Sequence, residues 1–306
     1  MLTRQALENR ARYLEKIRTY FKQYDVLEVD TPLAYPYPVS DPYIDAFAIE
    51  TQAGTRYLQT SPEYAMKRLL AAGSGSIYQI CKAFRNDPKS KLHNHEFTML
   101  EWYRVGLDHH ALIKEITVLL KQLKPDASIL YFSYQEIFSD ILHINPHTLS
   151  LDELQKLVIE NIGEVTGLKP NVNDYLDLLF SHRIEPVLKQ KQAFVFIYHY
   201  PQTQAALAKI IEDNGQQVAA RFELFYQGVE LANGYDELTD YNEQKQRFLS
   251  DLEQRKKDAK ASVPLDLTLL ESMCTLPACA GVALGLDRLI MCLEGYQDIS
   301  DVLICC

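Results

Sequence analysis

The sequence predicts an alpha+beta fold: an antiparallel sheet with flanking helices and a mostly helical insertion at about 108–215. Three observations carry that prediction. Short strand-like runs dominate the first hundred residues. Helical spacing takes over after residue 108. Strands then return at Val218–Tyr226 and Val229–Asn233. The 306 residues suffice for one large catalytic domain or two modest ones, and no internal repeat is visible.

Leu7, Ala11, Leu14, Ile17 and Phe21 recur at helical spacing, so residues 4–24 read as an amphipathic helix. Val26–Val29 follows as a short strand closed by Thr31-Pro32, and prolines 32, 36, 38 and 42 hold the next stretch extended. Ala46–Thr51 and Arg56–Gln59 flank Ala53-Gly54 as a hairpin. Ser61-Pro62 reads as a helix start, with serine capping and proline in the first turn. Ile77–Lys82 and Phe97–Val105 read as antiparallel strands joined by the polar loop Asn86–Glu96. Within the insertion, Ser150-Leu-Asp-Glu153 is a capping box and Ala193–His199 an apolar strand. A charged helix over about 241–258 precedes the strand Val282–Leu284, after which Gly285-Leu-Asp-Arg288 opens the last helix.

Composition is that of a globular protein, 47% hydrophobic and 24% charged, with a net charge of −10. That balance disfavours an extended grip on nucleic acid, which relies on neutralising phosphates. It suits a cationic partner or simply keeps the protein soluble. The charged N-terminal stretch excludes an apolar signal-peptide core, and no uncharged run reaches membrane-spanning length, so no membrane partner is expected. Cys81, Cys274, Cys279, Cys292, Cys305 and Cys306 form no CxxC pair; they read as reduced thiols of a cytoplasmic protein, with Cys305-Cys306 open to redox chemistry.

If residues 97–103 form a strand, Phe97, Met99, Glu101 and Tyr103 share one face. A carboxylate and a phenol beside an aromatic ring can receive an ammonium group and a flat heterocycle; the alternative is a half-solvated edge strand. Arg85, Lys89, Lys91, His93 and His95 in one short loop suit a polyphosphate, or form a solvated basic turn. His93-x-His95 has metal-ligand spacing with no evident third ligand. Glu223 and Glu230, on the two arms around Gln227-Gly228, are expected to face each other as magnesium ligands. No GxxxxGK[ST] loop is present, so a nucleotide must be held by arginines, magnesium and stacking.

Phe84-Arg85-Asn86 with His93–Tyr103 resembles motif 2 of class II lysyl-tRNA synthetases. Gly281–Arg288 resembles their motif 3, and the first helix with Val26–Pro32 resembles motif 1. Ser61-Pro62-Glu63 and Glu230–Asp240 fit the same family between the motifs. The resemblance covers nearly the whole chain, so residues 1–306 are expected to form a single class II synthetase catalytic domain without an N-terminal anticodon-binding OB-fold. Within that class the chain resembles the freestanding elongation factor P–(R)-beta-lysine ligases. Ala283 stands where lysyl-tRNA synthetases have glycine, and its methyl would reshape a site for a beta-amino acid.

The resemblance implies ATP and Mg2+ as cofactors, (R)-beta-lysine or lysine as the activated substrate, and elongation factor P as the acceptor. It implies a homodimer through helix 1 and motif 1, and no productive tRNA binding. Arg85 and Arg288 would be the catalytic groups. The ATP-binding set would be Arg85, Asn86, Asp87, His93, Asn94, Phe97, Glu230, Leu231, Gly285 and Arg288, with adenine held between Phe97 and Arg288. Substrate would meet Ser61, Pro62, Glu63, Glu101, Tyr103, Asn233, Tyr235, Glu237 and Ala283, and Glu223 with Glu230 would hold the metal. Asp87, Lys91 and His95 depart from the family's glutamate, arginine and proline. Other readings are a lysyl transferase acting on tRNA, an aspartate–ammonia ligase and an inactive regulatory paralogue. The last two fit poorly with the acidic triad Glu101, Tyr103, Glu237 and with retention of both arginines.

Overall fold

The computed structural model describes residues 3–165 and 170–303, and the Cys305-Cys306 pair lies outside the described residues. The chain forms two compact units, one of Met1–Pro125 with Glu237–Cys306 and one of Asp126–Asp236.

The first unit begins with helix α1 (Arg4–Gln23), capped by Thr3, whose hydroxyl accepts from the Ala6 N–H at 3.2 Å. Its Ile17, Tyr20 and Phe21 are buried, and Phe21 stacks on Tyr78 with ring centroids 4.3 Å apart. Burial of side chains of this size contributes about 1.5–3 kcal/mol each. Strand β1 (Leu27–Glu28) is followed by β2 (Ala34–Tyr35), β3 (Ala48–Thr51) and β4 (Gly54–Leu58), of which the last three form a small sheet in the order β2-β4-β3. Helix α2 (Glu63–Ala71) then leads into β5 (Ile77–Phe84), β6 (Glu96–Val105) and helix α3 (His109–Leu123).

The second unit carries β7 (Ser128–Ser133), α4 (Tyr134–Leu142), α5 (Leu151–Asn161), α6 (Val172–Leu179) and α7 (Glu185–Lys189). Strands β8 (Ala193–Pro201), β9 (Ile210–Asp213), β10 (Gln216–Tyr226) and β11 (Val229–Asp236) complete it. The capping box at Ser150 and Glu153 forms as its sequence suggests. A core of Tyr134, Phe138, Leu154, Leu176, Phe180, Val195 and Phe225 binds these helices to β8 and β10.

The chain returns to the first unit with α8 (Tyr241–Lys257), α9 (Leu267–Ser272), β12 (Cys279–Gly285) and α10 (Leu286–Glu294). In that unit β6 lies between β5 and β12, paired antiparallel with both, while β1 joins β5 in parallel. In the second unit β10 pairs antiparallel with β8, β9 and β11, and β7 pairs parallel with β8. The fold is alpha+beta. As expected, most strand pairs are antiparallel, and parallel pairs at β1 and β7 make the pairing mixed.

Candidate active site

Strand β6 is central, not the half-solvated edge strand that its pattern also allowed. Six consecutive residues, Thr98 to Tyr103, are buried, because β5 and β12 cover both edges. Register sets Glu101 opposite Gln79 and Ala283, and Tyr103 opposite Ile77 and Gly281. Glu101 and Tyr103 therefore share one face, two residues apart. The Tyr103 hydroxyl donates to Glu101 Oε1 at 2.8 Å, and the Ser61 hydroxyl donates to Glu101 Oε2 at 2.9 Å.

Ser61 does not cap α2 as expected. The N-cap is Pro62, with no side-chain cap bond, and the Ser61 oxygen accepts from the Glu63 N–H at 3.0 Å. Its hydroxyl is thereby held with its proton on Glu101. Glu63 sits in the first turn of α2, and four residues later the Lys67 ammonium lies 2.7 Å from Glu63 Oε1 and 2.7 Å from Glu237 Oε2. The Glu237 backbone N–H donates to the Cys279 carbonyl of β12 at 3.0 Å, which fixes that carboxylate against the sheet.

Burial pushes the Glu101 carboxyl up to about 8, and the Glu63 charge adds to it; hydrogen bonds from Tyr103 and Ser61 pull the other way. Burial alone would lower the Lys67 ammonium, but Glu237 and then Glu63 hold it above the ordinary lysine value. Gly281 is where β12 makes room for this cluster. A Cβ there would lie 2.3 Å from Cε1 of Tyr103 and 2.6 Å from Glu237 Oε1. Lys67 escaped the sequence reading, although its i,i+4 spacing from Glu63 was a usable signal, and Gly281 was read only as part of motif 3.

Of the expected nucleotide residues, those of the first unit lie toward the other end of β6, whereas Glu230 and Leu231 belong to the second unit. The Arg85 guanidinium lies 5.4 Å from the Phe97 ring centroid, and its Nε donates to the Thr60 carbonyl at 3.4 Å. Arg288, in the first turn of α10, donates from Nε to the Leu92 carbonyl at 3.1 Å, so motif 3 is tied to the loop of motif 2. Next to it, the buried Asp287 accepts from the Thr98 N–H at 2.5 Å and from Arg10 at 2.6 Å. Gly285, at the N-cap of α10, pairs with Met99. Asn86 is exposed and Asp87 half-buried. Asn94 donates to the Glu96 carbonyl at 2.8 Å, and His93 Nδ1 lies 2.8 Å from the Ser90 hydroxyl. The His95 ring packs edge-on to Phe47, and among the described residues His93 and His95 join no cluster of three metal-ligand side chains.

In the second unit the hairpin turns at Gln227 and Gly228, both with positive φ. Glu223 and Glu230 are not opposite one another, contrary to expectation: Glu223 pairs with Asn233 and Glu230 with Phe225. A bulge between Leu224 and Phe225 nonetheless shifts the register so that Glu230 shares the face of Glu223. Arg221, two residues before Glu223, is ion-paired with its Oε1, and the Tyr200 hydroxyl donates to its Oε2 at 2.7 Å. Arg221 also donates to Asn233 Oδ1 at 3.2 Å, lies 4.6 Å from the Tyr200 ring centroid, and pairs in register with Tyr235. Burial pushes Glu223 up to about 7; Arg221 opposes this and Glu230 reinforces it. Two carboxylates on one face that repel each other fit a hard divalent cation. Leu231, in the same strand as Glu230, is buried. Sequence reasoning missed Arg221 and Tyr200.

No helix among the described residues is long and apolar enough to cross a membrane. A family model for class II tRNA synthetases (D, K and N) matches residues 2–305. A protein of Vibrio atlanticus named elongation factor P–(R)-beta-lysine ligase is 43% identical over 304 residues, covering 97% of this chain and 94% of its own length. Relatives of the same name from Pseudoalteromonas translucida and Vibrio cholerae are 43% and 42% identical, each over 97% of this chain and 94% and 93% of their own lengths. With motifs, fold and relatives in agreement, the chain belongs to the class II tRNA synthetase family, in the group of elongation factor P–(R)-beta-lysine ligases.

Proposed function

We propose that the protein activates (R)-beta-lysine or lysine with ATP and passes the acyl group to a lysine side chain of elongation factor P. The observation that carries this is the buried cluster of Glu63, Glu101 and Glu237 around one ammonium, Lys67. Three carboxylates against one lysine leave room for further cationic groups. An aspartate site would need the opposite charge. Ser61, Tyr103 and Ala283 complete the site, and Asn233 and Tyr235 are assigned to substrate on the family resemblance.

Arg85 and Arg288 would hold the nucleotide, with Phe97 against the adenine and Asn86, Asp87, His93, Asn94 and Gly285 around it, while Leu231 is assigned to the nucleotide on the family resemblance. A substrate carboxylate oxygen attacks the alpha-phosphorus, and the bond to the pyrophosphate oxygen breaks. The acceptor lysine nitrogen then attacks the acyl carbon, loses a proton and expels AMP as the amide forms. The protein's own share is to position the reactants and to spread the developing phosphate charge over guanidinium groups. Glu223 and Glu230 would hold magnesium, which neutralises phosphate charge when bound. The same reading makes the whole chain one catalytic domain, pairing with a second copy through α1, where Leu7 and neighbouring Leu27 of β1 stay exposed.

Transfer to protein in preference to tRNA is supported by the relatives' names and by the net charge of −10, which offers a polyanion no general attraction. Intact-mass analysis of elongation factor P incubated with the enzyme, (R)-beta-lysine and ATP tests it. The expected result is an ATP-dependent gain of one lysyl group. Unmodified elongation factor P alongside efficiently charged tRNA would overturn the proposal and favour the synthetase reading.

A further inference from the structure

The geometry points to Lys67 as a positioning residue that clamps Glu63 to Glu237 and sets the site's charge at two net negative, so that it selects a ligand carrying two ammonium groups. The inference rests on the substrate class proposed above and adds the residue that fixes its charge count.

Lys67 is an unusual residue to bury. Its side chain is 3% exposed, on a helix whose other buried residues are Ala65, Met66 and Leu70. A lysine ammonium enters such a place only when its charge is matched. Here two carboxylates from separate segments match it at equal distance, 2.7 Å each. Glu63 comes from the first turn of α2 and Glu237 from the segment hydrogen-bonded to β12. Without the ammonium, two carboxylates would face each other beside a third, Glu101. With it, Glu63, Glu101 and Glu237 less one positive charge leave two negative charges when all are ionised. The hydrogen bonds of Glu101 come from neutral hydroxyls, Ser61 and Tyr103, and among the described residues no salt bridge is formed by Glu101.

The groups that bear on titration are Glu63, Tyr64 and Lys67 of α2, Glu101 and Tyr103 of β6, Cys81 of β5, and Glu237. Burial and the Glu63 charge push the Glu101 carboxyl up to about 8. It must be ionised to receive an ammonium, so binding should weaken as pH falls through about 8.

Calorimetric titration with lysine and (R)-beta-lysine, and with norleucine and 6-aminohexanoate as single-ammonium controls, tests this between pH 6 and 9. Wild type is expected to bind only the two diamino acids. Lys67→Met should weaken that binding about 10-fold or more, because it leaves Glu237 buried without its cation. It should also move the loss of binding to higher pH while leaving ATP affinity unchanged. Where Lys67→Met alone does not fold, Lys67→Met with Glu63→Gln removes one charge of each sign. That variant should fold and return the pH of half-loss to the wild-type value, since the net charge is again minus two. Wild-type affinity and pH dependence in Lys67→Met, an unrestored profile in the double variant, or binding of single-ammonium ligands would each overturn the assignment. Binding of diamino acids without transfer to elongation factor P would instead count against the proposed function alone.

Discussion

Two acidic clusters, one in each unit, solve the same problem in different ways. In the first, Glu63, Glu101 and Glu237 outnumber their cation, Lys67, and the pair Lys67–Glu237 is almost wholly withdrawn from water. In the second, Glu223 has its own guanidinium two residues away, and Glu230 stands exposed on the same face. The first cluster gathers three carboxylates around one ammonium in a dry place, where a proton on Glu101 or a cationic ligand relieves the charge. The second is already balanced internally and adds one solvent-facing carboxylate, an arrangement that can exchange a hydrated metal. Burial raises the carboxyl in both places, and the fixed charges that share its space then oppose or reinforce that shift.

The largest effect should separate the two clusters. Glu223→Gln is expected to lower magnesium-dependent pyrophosphate exchange about 100-fold, the scale of losing one charge-stabilising group. Lysine affinity, measured by calorimetry, should not change. Loss of both together would merge the two sites into one electrostatic unit and break the comparison.

Gly281→Ala should act only on the first cluster. Its Cβ would sit 2.3 Å from the Tyr103 ring, so that ring and Glu237 must move. Overpacking of this kind costs about 1–3 kcal/mol, which corresponds to roughly 5- to 150-fold in lysine affinity if the strain falls on the site. Unchanged affinity would mean that neither Tyr103 nor Glu237 needs its observed position.

The smallest effect is one of stability. The folded-state carboxyl of Glu101 is raised, so the ligand-free protein holds a proton that the unfolded chain gives up at ordinary carboxyl pH. Its contribution is fully present below the unfolded value and is lost as pH rises through about 8. Thermal unfolding of wild type should therefore weaken between pH 6 and pH 9, and Glu101→Gln should flatten that decline while abolishing lysine binding. A steeper decline in the variant would reverse the sign assigned to Glu101.

Much of this was legible in the sequence because period and spacing report local geometry. The two-residue spacing of Glu101 and Tyr103 put them on one face, and Gln227-Gly228 marked the hairpin turn. What the sequence could not show were facts of register and burial. The bulge at Leu224/Phe225 decides which face Glu230 takes, and no composition signal marks it. That β6 is central depends on β12, which is distant in sequence. Beyond its spacing from Glu63, nothing local in the sequence marks Lys67 as a site residue, and only the approach of Glu237 reveals it as one. Arg221 was likewise visible as a strand residue but not as the partner of Glu223.

The central claim is that three glutamates and Lys67 read two ammonium groups on the amino acid to be activated. Amino-acid-dependent pyrophosphate exchange across a panel of (R)-beta-lysine, lysine, norleucine and aspartate measures it most directly. Exchange is expected with the two diamino acids and at background level with the other two. Exchange with norleucine or aspartate matching that with the diamino acids would contradict the account.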